Sequence, residues 1–115
     1  MARINLHLHY DAAHGWLAAP TKLIKALGIG NQISTYSYIH PHGEIVYLEE
    51  DVDANLLTNA LEALDVYVEV STIPSSTDES KIRRYDRFYP EFVESWVNHV
   101  EYHGRDTRTP TDILA

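Results

Sequence analysis

Residues 36–64, YSYIHPHGEIVYLEEDVDANLLTNALEAL, decide the fold of this 115-residue chain. β-Branched and aromatic side chains dominate residues 33–39 and 44–48, which predicts two half-buried strands. The segment 40–43, His-Pro-His-Gly, has turn chemistry, because proline fixes φ and glycine permits a positive φ. The sequence therefore predicts an antiparallel hairpin here.

A helix is predicted directly after this hairpin. We expect Asp51 or Asp53 to cap its N-terminus, where carboxylates also interact favourably with the helix dipole. One or two carboxylates suffice for this purpose, so the surplus of acidic residues at the helix entrance raises a functional question. The apolar positions with helical spacing are Ala54, Leu57, Ala60, Leu61 and Leu64.

Apolar patterning also predicts the remaining elements. A third helix begins at Pro90 and ends at Gly104, and an exposed polar loop covers residues 74–80. The other elements are strands over residues 3–10, 15–19 and 66–71 and a helix over residues 21–27 that ends at Gly28.

The predicted fold class is α+β. The expected architecture is a mostly antiparallel sheet of four or five strands with about three helices packed on it, in the order β-β-α-β-β-α-β-α. Residues 1–104 form a single domain, and residues 105–115 form a C-terminal tail.

Composition restricts the possible classes of function. Hydrophobic residues make up 44% of the chain and charged residues 23%, which is typical of a soluble globular protein. No apolar run has the length of a membrane span, and the N-terminus lacks the apolar region of a signal peptide. Cysteine is absent, which excludes disulfides and thiolate chemistry. We therefore expect a cytoplasmic protein without membrane contacts.

The charge distribution is uneven. The net charge is −8, and residues 41–80 contain ten acidic residues but no lysine or arginine. Such a region repels phosphates, so nucleic-acid binding through it is disfavoured, whereas a basic protein partner is compatible with it. Plain solubility is the competing explanation. The residues expected to bind a basic partner are Glu44, Glu49, Glu50, Asp51, Asp53 and Glu69.

Histidines offer one alternative function. His7 and His9 project from the same face of a strand, and His14 follows closely in sequence. Three histidines can hold a catalytic metal, which would suit a small metal-dependent hydrolase or nuclease. The competing interpretation is that they are ordinary surface histidines. No other catalytic pattern and no cofactor motif is present, so we predict no cofactor and no catalytic residue.

A basic and aromatic segment near residue 85 offers a further alternative. Its side chains could stack on bases and pair with phosphates, which would give weak nucleic-acid binding. They could equally fold back against the acidic middle of the chain, with the aromatic rings in the core. The residues concerned are Lys81, Arg83, Arg84, Tyr85 and Arg87.

Several segments share one resemblance: His14-Gly15-Trp16-Leu17, Pro20, Leu27-Gly28-Ile29, residues 34–38, residues 46–51, Asp53-Ala54 and residues 82–88. Together they resemble small uncharacterised proteins of bacteriophages and mobile elements. The resemblance spans roughly residues 14–88 and implies no catalytic residue. It implies a compact, non-enzymatic accessory protein that binds a basic host or phage protein, such as a nucleic-acid-handling or defence protein that it would inhibit. The sequence leaves a homodimer open, through an exposed strand edge or through acidic-to-basic docking.

Overall fold

The computed structural model describes residues 2–89, which form six strands and two α-helices. None of the described helices is long and apolar enough to span a membrane. The strands are β1 (Ala2–Tyr10), β2 (Gly15–Pro20), β3 (Tyr38–Ile39), β4 (Ile45–Glu49), β5 (Val66–Pro74) and β6 (Asp86–Arg87), and the helices are α1 (Thr21–Leu27) and α2 (Asp53–Ala63). Two 3-10 helices, Gly30–Gln32 and Lys81–Arg84, complete these elements.

The six strands form one mixed sheet in the order β5-β1-β2-β4-β3-β6. Neighbouring strands are antiparallel except β1 and β5, which are parallel. The α+β class and the predicted order of the first seven elements are confirmed. The predicted architecture is not matched in detail. The sheet has six strands instead of four or five, because Asp86–Arg87 adds a strand beside β3. It is mixed, because α2 carries the chain from β4 across to the far edge of the sheet, where β5 pairs parallel to β1. The predicted third helix and the tail over residues 105–115 lie outside the described residues.

Both helices pack on one face of the sheet. Alternate strand residues, such as Leu6 and Val46, point to this face and meet α2 through Leu57 and Leu61. Each of the two α2 leucines is fully buried, and burying a leucine contributes about 1.5–3 kcal/mol. The helical period read from the sequence thus matches the buried stripe of α2.

The opposite face of the sheet, called the second face below, is covered over only part of its width. Trp16, Tyr38 and Tyr47 pack there against Ile82 of the 3-10 helix Lys81–Arg84. The alternation in β1 predicts a wet second face, and His7 is indeed exposed. On β2, β3 and β4, however, the aromatic side chains on this face are buried.

The hairpin turn and one helix end follow the local predictions. Gly43 has a φ of 77°, and its N–H donates to the carbonyl of His40 over 2.7 Å. Gly28 ends α1 with a φ of 68°. Both conformations are strained for residues that carry a Cβ atom.

Two other local predictions are wrong. Only Tyr38–Ile39 of the predicted strand over residues 33–39 is a strand, because Ser34 and Ser37 bond to Asp53 and to each other instead of a neighbouring strand. Neither Asp51 nor Asp53 caps α2. The cap position is Val52, which provides no side-chain hydrogen bond.

Candidate functional site

Two of the six carboxylates predicted to bind a partner, those of Asp53 and Glu49, accept hydrogen bonds from other residues of the chain. Asp53 is fully buried, and its Oδ2 accepts hydrogen bonds from the backbone N–H of Ser34 and from the hydroxyls of Ser34 and Ser37. The carboxylate of Glu49 accepts the backbone N–H groups that follow it in the turn to α2. Asp53 therefore cannot contact a partner, contrary to the prediction, because it ties the 34–37 loop to α2.

The other acidic residues do not form one patch. Glu69 lies on the edge strand β5 and pairs with Arg3 over 3.1 Å. Glu44 and Glu50 flank the two ends of β4, so they are separated by roughly 15–20 Å at 3.4 Å per residue. Glu50 and Asp51 are adjacent and exposed. The structure thus reduces the predicted acidic surface to a short segment at the start of α2.

The predicted metal-binding histidines do not converge. His7 and His9 do lie on the same face of β1. His9, however, packs edge-on against Tyr47 with ring centroids 5.8 Å apart, and His14 tilts against Trp16. Within residues 2–89, no three histidine, aspartate or glutamate side chains come together in a way that could hold a metal ion.

Some residues of the predicted basic segment make contacts within the molecule, and others are exposed cations. Arg87 donates to the carbonyl of Thr35, and Tyr85 packs its ring against Tyr47. Both contacts are internal, as in the folded-back alternative, but Arg87 bonds a backbone carbonyl and not a carboxylate of the acidic middle of the chain. Lys81 and Arg84 are exposed, and they form no ion pair with any residue in the described part of the chain.

Arg83 forms the principal polar contact between the 3-10 helix Lys81–Arg84 and the sheet. Its Nε and Nη2 atoms donate to the two carboxylate oxygens of Asp11 over 2.7 and 3.0 Å. The guanidinium also lies over the Trp16 ring, 5.2 Å from its centroid. The hydrogen bond from Arg83 is the main reason that the pKa of Asp11 lies far below its ordinary value. Bidentate pairing of this kind fixes orientation as well as charge.

Asp11 holds two further segments of the chain. Its Oδ1 accepts the backbone N–H groups of Ala13 and His14, which closes the turn between β1 and β2. Its Oδ2 accepts the backbone N–H of Ser80 over 2.9 Å. One buried carboxylate therefore fixes the start of the 3-10 helix Lys81–Arg84 above the end of β1.

This attachment creates a cleft of about 550 Å³ between the second face and residues 75–84. Its volume lies within the range of small-molecule binding sites. Ile73 of β5 and Ile82 provide apolar lining, and Tyr47 provides an aromatic ring with a hydroxyl. The loop over residues 75–77 adds three hydroxyl groups, from two serines and a threonine.

Cationic and titratable groups line the same cleft. Lys81 and Arg84 contribute positive charge, Glu79 contributes one negative charge, and His9 lies at the base. Burial, assisted by the charges of His7 and Lys81, lowers the pKa of His9 below its ordinary value of 6.5. His9 is therefore neutral at pH 7 and can both donate and accept hydrogen bonds. Burial, followed by the neighbouring Tyr85, raises the pKa of Tyr47, which keeps its hydroxyl protonated.

The sequence reasoning identified Lys81 and Arg84 but not the cleft that they share with His9 and Tyr47. The missing information is the pairing that places these residues together. His7 of β1 pairs with Ala18 of β2, and Ala18 pairs with Tyr47 of β4. His9 follows His7 by two residues, so its side chain lies on the same face of the sheet as that of Tyr47. A readable signal was present in the hydroxyl-rich loop over residues 75–77, separated by three residues from the basic segment that begins at Lys81.

No family model, curated protein or solved structure matches this chain. The resemblance to small phage proteins therefore stays a prediction.

Proposed function

We propose that this protein is a non-enzymatic binding protein whose ligand occupies the cleft between the second face and residues 75–84. The proposed ligand carries one anionic group and an apolar or aromatic body. The observation that supports this most directly is that Lys81 and Arg84, neither of them in an ion pair within residues 2–89, line one concave site.

The charge of the lining favours a monoanionic group. Two cations and Glu79 give a net charge of +1, because His9 is neutral at pH 7. A carboxylate or singly charged phosphate ester would neutralise this charge, and arginine and lysine form charge-assisted bonds with such oxygens. The apolar residues of the cleft provide the contact area for the rest of the ligand.

Binding is favoured over catalysis because the cleft lacks an activated nucleophile. Nucleophilic catalysis by serine needs a base within hydrogen-bond reach of the hydroxyl. His9 donates to and accepts from no hydroxyl among the described residues, while the hydroxyls of Ser75 and Thr77 interact with each other over 3.3 Å. Ser80 accepts the backbone N–H of Ile82. These hydroxyls shape the loop and have no base beside them.

The proposal can be tested with three probes that separate the ring from the charge: phenyl phosphate, inorganic phosphate and phenol. Amide chemical shifts are followed by NMR during titration near pH 6, where a phosphate monoester carries between one and two negative charges. We expect phenyl phosphate to bind more tightly than the other two and to shift the signals of His9, Tyr47 and Lys81.

Charge-removing variants provide the control. Lys81→Ala and Arg84→Ala should each weaken phenyl phosphate binding by about fivefold, which corresponds to roughly 1 kcal/mol for an exposed charge-assisted bond. Lys22→Ala removes an exposed cation on α1, away from the cleft, and should leave the affinity unchanged. Equal affinities in all variants, or no shift at His9 with any probe, would contradict the proposal.

Docking of a basic partner is a second proposal, which now rests on the exposed and adjacent pair Glu50 and Asp51. A double reversal to lysine changes the local charge by four units and should abolish capture of a basic partner from a host lysate. Asn59→Lys, on the exposed side of α2, serves as a control for added positive charge. Capture that survives reversal of Glu50 and Asp51 would rule out this surface.

A further inference from the structure

β5 forms one edge of the sheet along its full length of nine residues. It pairs with β1 on one side, and no other strand among residues 2–89 lies on its outer side. An unpaired edge presents a row of backbone N–H and C=O groups to any strand that can reach it. Edges of this length are usually protected by short strands, lysines, prolines or bulges.

The edge formed by β5 has little such protection. Its large apolar side chains are unusually accessible: Tyr67 is 51% exposed, Val70 49% and Ile73 38%. The strand contains no lysine or arginine, its one charge is Glu69, and its one proline is the terminal residue Pro74. Within the described part of the chain, β5 is therefore an apolar edge that is open to strand pairing.

We propose that β5 pairs in an antiparallel manner with β5 of a second copy of this chain, which joins the two sheets into one. A closed dimer of this kind has a two-fold axis. For antiparallel edge pairing the axis runs perpendicular to the sheet. Residues that lie directly opposite each other then point to the same face. The axis passes midway between the two copies of one residue, which is the centre of the register. Only a few registers satisfy these conditions.

The register centred on Val70 places Val70 opposite its own copy. All nine residues of β5 then have partners, and each exposed apolar side chain meets another apolar side chain. Pairs of an aromatic with a β-branched residue stabilise sheets by roughly 0.2–1 kcal/mol. The remaining pairs are Tyr67 with Ile73, Val68 with Thr72, Glu69 with Ser71 and Val66 with Pro74.

Neighbouring registers are worse for identifiable reasons. Centring on Glu69 places two carboxylates directly opposite each other, which is destabilising. Centring on Val68 places Tyr67 opposite Glu69 and leaves Ile73 beyond the paired region. Centring on Ser71 places Ile73 opposite Glu69 and leaves Tyr67 unpaired within β5. The self-complementarity of β5 at Val70 is what identifies a second copy as the partner.

The proposed dimer also affects the cleft. Ile73 lines the cleft and would lie opposite Tyr67 of the second copy. The aromatic ring of one copy would thus extend the rim of the other copy's cleft. This consequence depends on the cleft being a binding site, whereas the strand pairing does not.

The oligomeric state of the full chain tests the pairing directly. Sedimentation velocity from 1 to 100 μM should show a concentration-dependent dimer for the unmodified protein. Val70→Lys places two lysines opposite each other and should raise the dimer dissociation constant by about tenfold or more. Asn59→Lys adds the same charge on the exposed side of α2 and should leave the dimer intact. A chain that is monomeric at 100 μM, or a dimer that Val70→Lys does not weaken, would overturn the proposal.

A cysteine experiment tests the register, because the chain contains no cysteine of its own. Val70→Cys should form an interchain disulfide on mild oxidation, since opposite residues in antiparallel strands have Cα atoms about 4.5–5.5 Å apart. Thr72→Cys lies on the same strand and face, but its two copies would be four residues apart, about 14 Å along the strand. Rapid cross-linking of Val70→Cys but not Thr72→Cys supports the register. Equal cross-linking of the two variants, or cross-linking of Thr72→Cys alone, refutes it.

Discussion

Asp11 is the residue whose replacement should most affect both stability and the cleft. Its carboxylate accepts five N–H bonds, two from Arg83 and three from the backbone of Ala13, His14 and Ser80. The Asp11 side chain has no solvent exposure, while that of Arg83 is 29% exposed. The substitutions Asp11→Ala and Arg83→Ala therefore perturb the same pair from its buried and its partly exposed side.

The expected loss for Asp11→Ala is about 3 kcal/mol in the free energy of unfolding. Removing one partner of a buried ion pair costs about 3–5 kcal/mol, and the lower end applies because Arg83 can turn towards solvent. The N–H of Ser80, a buried residue, keeps no acceptor and is the main unsatisfied group. Arg83→Ala should lower the free energy of unfolding by a similar amount, because it leaves the buried carboxylate of Asp11 without its ion-pair partner. Arg84→Ala is the matched control and should cost less than about 0.5 kcal/mol.

The pH dependence distinguishes the ion pair from simple packing. Because the pKa of Asp11 is depressed in the folded state, its contribution is fully present above the ordinary aspartate pKa of about 3.9 and is lost as the pH falls below that value. Urea unfolding of the unmodified protein and of Asp11→Asn should therefore give stabilities whose difference is largest at pH 7 and begins to narrow as the pH falls from about 4 to 3. A difference that stays constant between pH 7 and pH 3 would refute the assigned role of the carboxylate.

Three further predictions concern other parts of the molecule. Asp53→Ala should lower the free energy of unfolding by about 3 kcal/mol, because three donors lose a charged acceptor. Asp53→Asn should cost clearly less, since the amide keeps one acceptor oxygen and removes a carboxylate whose Oδ1 accepts no hydrogen bond from residues 2–89; equal losses in urea unfolding would contradict this. An NMR titration should give His9 a pKa below 6.5, and this pKa should rise in Lys81→Ala; an unchanged pKa in Lys81→Ala would exclude the charge effect of Lys81. Because the pKa of His9 is lowered in the folded state, the protein should lose stability as the pH falls below about 6.5. Gly43→Ala should cost about 1 kcal/mol in thermal or urea unfolding, because residue 43 has a positive φ; a neutral result would mean that the turn changes conformation.

Local structure was predictable where side-chain period and turn chemistry agree. The alternation in β1, the apolar stripe of α2 and the glycines at positions 28 and 43 all describe the structure. Alternation carries no strand direction, however, because parallel and antiparallel strands have the same side-chain period. The parallel pairing of β5 with β1 follows from the path of α2 across the sheet. A pattern within one segment does not encode that path.

Competition between hydrogen bonds explains the most prominent local error. Residues 33–39 have the composition of a strand, yet Ser34 and Ser37 donate their hydroxyls to Asp53. Ser37 also accepts the backbone N–H of Glu49 over 2.9 Å. Short polar side chains compete with ladder bonds in this way. The strand is consequently reduced to Tyr38–Ile39, and one carboxylate expected at the surface is buried.

The candidate site was the least predictable feature, because contacts between residues far apart in the sequence decide which charged side chains are paired internally and which line the cleft. The turn formed by Asp11 was readable from sequence, since aspartate commonly bonds the backbone two or three residues ahead. Its pairing with Arg83, 72 residues later, was not. That one ion pair removes Arg83 from the basic segment and leaves Lys81 and Arg84 at the cleft. Net charge and local charge runs describe which ions are present, but a binding surface consists only of the ions that folding leaves without an internal partner.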